Sequence, residues 1–134
     1  MTAANSTDSI AENPHFNDIS RAPYELGRLL QKLPEDFSCH SKQTYSPDMQ
    51  LIAKAAALHA RNANETLMNG LHALGQVIVI AANNTDFSEI DSDNLMSLGS
   101  LISHLSVEAR FLQETQSKLE FTLQELAKKP RAVA

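Results

Sequence analysis

The sequence has few of the residues that make turns and few aromatic side chains. It contains four glycines and five prolines in 134 residues, and aromatic residues make up 5% of the chain, with no tryptophan. A fold of many short strands needs many turns, so this composition favours a few long helices in one domain. With so few aromatic residues, the core is expected to consist of Leu, Ile, Val and Ala.

Cysteine is also scarce. Cys39 has no second cysteine in the chain, which excludes an intrachain disulfide and a Cys-x-x-Cys pair. The first thirteen residues lack the basic and apolar blocks of a secretory signal, so the expected location is the cytoplasm.

Clustered positive charge is missing from most of the chain. The formal net charge is −5, and the one basic cluster lies at the C-terminal end, at Lys128, Lys129 and Arg131. Nucleic acids are bound through clustered Lys and Arg, so a nucleic-acid partner is not expected. A membrane span is not expected either, because polar side chains interrupt the uncharged stretch at 66–85.

Apolar residues recur at helical spacing in three segments. Leucines between Pro23 and Pro34 predict a short helix over about 23–33. Ser46-Pro47-Asp48 is a strong helix start, with a capping hydroxyl, a proline and an acid. It predicts a second helix over about 47–82.

A second capping sequence begins at Asp91 and predicts a third helix over about 92–128. The three helices would form a single domain at 23–129. Residues 1–22 are expected to form a disordered or loosely attached tail, and 130–134 a C-terminal tail.

Each long helix carries one apolar stripe with alternating steps of three and four residues, as in coiled coils. The stripe of the second helix consists of Ala53, Ala57, Ala60, Asn64, Leu67, Leu71, Leu74, Ile78 and Ala81. That of the third consists of Leu95, Leu98, Ile102, Leu105, Ala109, Leu112, Gln116, Leu119, Leu123 and Leu126. Equal lengths and a short connection predict an all-α fold built on an antiparallel hairpin. The short helix is expected to pack where alanines line the second helix.

The half of the hairpin near the turn has more apolar surface than two helices can bury. Val77-Ile78-Val79-Ile80 places apolar side chains on every face of the second helix. A β-strand over 76–81 is one alternative, because these residues favour strands. Burial against a second copy, which makes a homodimeric bundle of the four-helix type, is the preferred interpretation. The expected interface lies on one flank of the hairpin and consists of Val77, Ile80, Leu101, His104 and Phe111. The competing interpretation is that the first helix or the tail folds over this flank.

Residues for catalysis or for metal and cofactor binding are not found in a recognisable pattern. His59, His72 and His104 lack the spacing of metal ligands and are expected to pack as partly exposed or hydrogen-bonded side chains. Gly75 and Gly99 fall inside helices, where glycine costs stability, so they are expected to allow a close helix approach. A sharper alternative is a small-ligand slot lined by Met68, His72, Gly75, Met96 and Gly99.

These patterns resemble no particular family and predict no enzyme and no cofactor. The leading hypothesis is a non-enzymatic interaction or regulatory module that works as a homodimer and presents a surface to another protein. The alternatives are a small-ligand sensor and a phage- or plasmid-encoded inhibitor of a host protein.

Overall fold

The computed structural model describes residues 13–17, 21–84 and 91–129. These residues contain three helices and no strand: α1 (Ala22–Leu30), α2 (Pro47–Asn83) and α3 (Ser92–Lys128). The two long helices pack against each other, and α1 packs against α2. The prediction of an all-α fold is confirmed. The alternative of a strand over 76–81 is wrong, because these residues continue α2 without interruption.

Both long helices begin at the capping residues that the sequence indicates. The Ser46 hydroxyl accepts a hydrogen bond from the backbone N–H of Met49 at 3.1 Å, and the Asp91 carboxylate accepts one from the N–H of Asp93 at 3.3 Å. Such bonds satisfy N–H groups that have no partner within the helix.

The short helix α1 ends three residues earlier than predicted. After Leu30, the backbone hydrogen bonds join each N–H to the carbonyl three residues earlier, as in a 3₁₀ turn. The Lys32 N–H donates to the Leu29 carbonyl at 3.0 Å, and the Leu33 N–H donates to the Leu30 carbonyl at 3.2 Å. Pro34 follows, and the residue before a proline is disfavoured in the helical conformation. The helix therefore unwinds over 31–33 rather than continuing to 33.

The hairpin has two unlike halves. The closed half consists of α1, residues 47–63 of α2 and residues 109–128 of α3, and it contains every buried residue of the three helices. The open half consists of residues 64–83 of α2 and 92–108 of α3, and none of its side chains is buried. Only the closed half has a core covered from more than one side.

Alanines in α2 make the closed half compact. Ala53, Ala56 and Ala60 are fully buried in one cluster with Leu26 and Leu29 of α1. Their small side chains let the short helix approach α2 closely, so its leucines fill the space that the alanines leave. The predicted position of α1 against the alanine-rich stretch is confirmed.

Residues 13–17 form a segment that is held against the start of α2. The buried Asn13 amide donates to the Leu51 carbonyl at 3.0 Å, and the His15 ring lies 2.7 Å from a carboxylate oxygen of Asp48. The Phe16 ring lies 4.7 Å from the ring of His59. These contacts are closer than a loosely attached tail would make; residues 1–12, 18–20 and 130–134 lie outside the described residues.

The connection between α1 and α2 is ordered around Tyr45. Its buried phenol accepts a hydrogen bond from the N–H of Ser38 at 3.1 Å and donates to the carbonyl of Asp36 at 3.1 Å. The Lys129 ammonium donates to the carbonyl of Cys39 at 2.6 Å, which ties the connection to the end of α3. These bonds hold the connection against the end of the hairpin where α2 begins and α3 ends.

Candidate interaction surface

An apolar surface remains exposed along the open half of the hairpin and extends to Phe111, at the edge of the closed half. It consists of the five residues that the sequence predicts as an interface, Val77, Ile80, Leu101, His104 and Phe111, and is called the open face below. Val77 is 61% exposed, Ile80 67%, Leu101 48% and Phe111 51%, and His104 is also exposed. Each of the four apolar side chains therefore keeps about half of its surface or more exposed to solvent.

Helical geometry relates the open face to the covered side of the closed half. An α-helix repeats every 3.6 residues, so Val77 stands five turns beyond His59 and Ile80 about seven turns beyond Ala55. His59 and Ala55 have no exposed surface. Neither belongs to the stripe that faces α3. The same edge of α2 is therefore covered in the closed half and bare in the open half.

Phe111 marks the place on α3 where the cover ends. It lines a groove with Leu30, Leu33 and Phe37, which belong to the end of α1 and to the connection that follows. Hence α1 and the connection lie on the same side of the hairpin as the open face and stop at its border. The interpretation in which α1 folds over this flank is wrong, because Leu26 and Leu29 of α1 are buried in the closed half. The interpretation in which the tail folds over it concerns mainly residues 1–12 and 18–20, which lie outside the described residues.

The open half carries no formal charge over most of its length. Residues 66–84 and 94–107 include no Asp, Glu, Lys or Arg. Ion pairs between the long helices belong to the closed half, where the Arg61 guanidinium lies 2.5 Å from a Glu120 carboxylate oxygen. Gln116 donates to the same carboxylate at 3.2 Å, which accounts for a polar residue in the stripe of α3.

The proposed ligand slot is not assembled as the sequence suggests. His72 and Gly75 line a shallow depression with other residues of α2, but Met68, Met96 and Gly99 do not line it. A wall made by one helix leaves a depression open to solvent on its other sides. Such a surface encloses a small molecule poorly, because ligand pockets bury most of the ligand.

The glycines of the open half do not serve a close helix approach. A Cβ atom placed at Gly75 or Gly99 would have no neighbouring atom within 4 Å. The expectation that these residues bring the helices together is wrong, since packing within one chain leaves their flank open.

The helix histidines differ widely in burial. His59 is fully buried against Phe16, deeper than the sequence indicates, whereas His72 and His104 are exposed. Over the described ranges, no three residues among His, Cys, Asp and Glu are grouped in a way that could hold a metal ion. In the same ranges, no helix has both the length and the apolar content needed to cross a bilayer.

Comparison with known proteins returns no match to a family model, to a curated protein or to a solved structure. The functional interpretation therefore depends on the chemistry and placement of the residues in this chain.

Proposed function

We propose that this chain is a non-enzymatic interaction or regulatory module that works as a homodimer of helical hairpins joined through the open face. The observation that carries the proposal is the exposure of large apolar side chains along the hairpin, among them Val77, Ile80, Leu101 and Phe111. Exposed apolar surface of this kind is typical of protein interfaces, because its burial is the main favourable term in association.

The size of the open half fits a stable, though modest, dimer. Twenty residues of helix span about 30 Å, and two helices side by side are about 20 Å across, which gives roughly 600 Å² per copy. Two copies would bury about 1,200 Å², the lower end of the range for specific interfaces. Side chains that interdigitate would add to this area.

The absence of charge favours a second copy over a partner of opposite charge. In a twofold interface, a surface patch meets the same patch of the other copy, so charged side chains there would lie close to like charges and repel each other. The chain has a net charge of −5, yet residues 66–84 and 94–107 are free of charged side chains. Two copies can meet there without repulsion, whereas a basic partner would find no acid to pair with.

A small-ligand sensor is the weaker alternative. The depression beside His72 and Gly75 supports it, but one helix supplies the whole lining. A thermal-shift screen against metal ions and metabolites distinguishes the two functions: a sensor gains melting temperature from its ligand, and the proposed module does not.

A pair of aspartate substitutions on α3 tests the dimer. Leu101→Asp places a charge in the open face, whereas Ser106→Asp places one on the far side of the same helix, about 140° around its axis. Both positions are exposed and lie outside the core of the closed half. Size-exclusion chromatography with light scattering should show a monomer for Leu101→Asp and a dimer for Ser106→Asp. A dimer for Leu101→Asp, or a monomer for Ser106→Asp alone, would move the interface away from the open face.

A further inference from the structure

We infer that the two copies pair in opposite directions, with their open halves overlapping and their closed halves at the two ends of the dimer. This inference rests on the proposed homodimer and adds its geometry. It follows from the position of α1 relative to the open face.

The helix α1 stands above the hairpin on the same side as the open face. Leu30 and Leu33 share a groove with Phe111, at the border of the open face, and Leu26 and Leu29 are buried over the alanines of α2. Packed helix axes are 8–10 Å apart, so α1 forms a step of about 10 Å on this side.

That step is incompatible with pairing in the same direction. The two α1 helices would then lie between the closed halves and hold the hairpins about 30 Å apart there, since three packing distances separate them. The open faces need a separation of about 10 Å to touch. The two hairpins could meet both distances only by splaying apart, and they would then lose contact along most of the open faces.

Pairing in opposite directions avoids the conflict. Each open half, about 30 Å long, lies on the open half of its partner, and the C-terminal end of α2 of one copy lies beside the end of α1 of the other. The end of α1 beside Phe111 then limits how far one copy can shift along the helix axes of the other. The result is a central four-helix section with a three-helix end on either side.

The arrangement gives the dimer two identical ends. Each α2 has 37 residues and is about 55 Å long, so two overlapping hairpins extend about 80 Å. The surface of α1 and the segment at 13–17 would be presented at both ends. A binding partner with two sites could then engage both ends at once, which raises its avidity.

Distance measurement between spin labels tests the direction of pairing. Cys39 is replaced by Ser, and Lys54, an exposed residue of α2 in the closed half, is replaced by Cys and labelled. The open half is centred near residue 73, so opposite pairing should place the two labels about 60 Å apart. Pairing in the same direction should place them less than about 40 Å apart, across four layers of helices.

The outcomes separate this inference from the proposed function. A distance near 60 Å supports opposite pairing, and a distance below about 40 Å overturns it while leaving the dimer in place. If the labelled chain sediments as a monomer, the homodimer itself is absent and both proposals fail. The same label with Leu101→Asp added is the control, and it should lose the intermolecular distance.

Discussion

Val77 stands five helical turns beyond His59 on the same edge of α2, yet Val77 is 61% exposed and His59 is 0% exposed. The difference arises from the short elements around the helix. Phe16 of the segment at 13–17 packs on the edge at His59, whereas Val77 on the same edge is largely exposed. One continuous helix thus contributes to a buried core at one end and carries exposed apolar side chains at the other.

Substitution of Phe16 tests whether the segment at 13–17 belongs to the fold. Phe16→Ala removes the ring that lies 4.7 Å from His59. Because Phe16 is half-buried, the loss should be smaller than for a core phenylalanine, about 1–2 kcal/mol of unfolding free energy. Urea denaturation at fixed protein concentration measures it.

The matched control for Phe16→Ala is Asn17→Ala, at an exposed position in the same segment. It should change stability by less than about 0.5 kcal/mol. Equal effects of the two substitutions would mean that the ring contact contributes nothing.

Replacing Gly75 or Gly99 with alanine should stabilise the protein. A new Cβ meets open space at both positions, and alanine is favoured over glycine inside a helix by about 1 kcal/mol. Thermal denaturation of the single variants and of the double variant measures the gain. A lower melting temperature would show that a ligand or another chain packs against this flank, in conflict with an interface on the open face.

Removing one hydroxyl tests the order of the connection. Tyr45→Phe keeps the ring beside Phe37 but deletes the bonds to Ser38 and Asp36. The partly buried Ser38 N–H then loses its acceptor, which should cost about 1 kcal/mol of unfolding free energy. Tyr24→Phe, at an exposed tyrosine, is the control and should be neutral; a neutral Tyr45→Phe would contradict the bonding described.

Much of the fold could be predicted from the sequence because periodicity and capping are local signals. Ser46 and Asp91 mark the helix starts, and the leucine and alanine stripes indicate which faces meet. The position of α1 followed from side-chain size, since alanines leave room that leucines fill.

The remaining features depend on contacts between distant residues that no pattern announces. Phe16 and Ile19 are the sizeable apolar residues near the folded end of a polar tail, and Phe16 is the one that falls within the described segment at 13–17. The other contacts of this segment, between Asn13 and Leu51 and between His15 and Asp48, follow no repeat or motif in the sequence. A glycine inside a helix indicates close packing only where another helix lies against that face. The sequence near Gly75 and Gly99 does not show whether a second helix lies there, so the prediction of a close approach was wrong.

Sedimentation equilibrium of the unmodified chain at micromolar concentration tests the central claim most directly. The proposed homodimer predicts a mass of twice 14.7 kDa that falls toward a single chain on dilution. A mass of 14.7 kDa across the whole range would show that the open face does not join two copies.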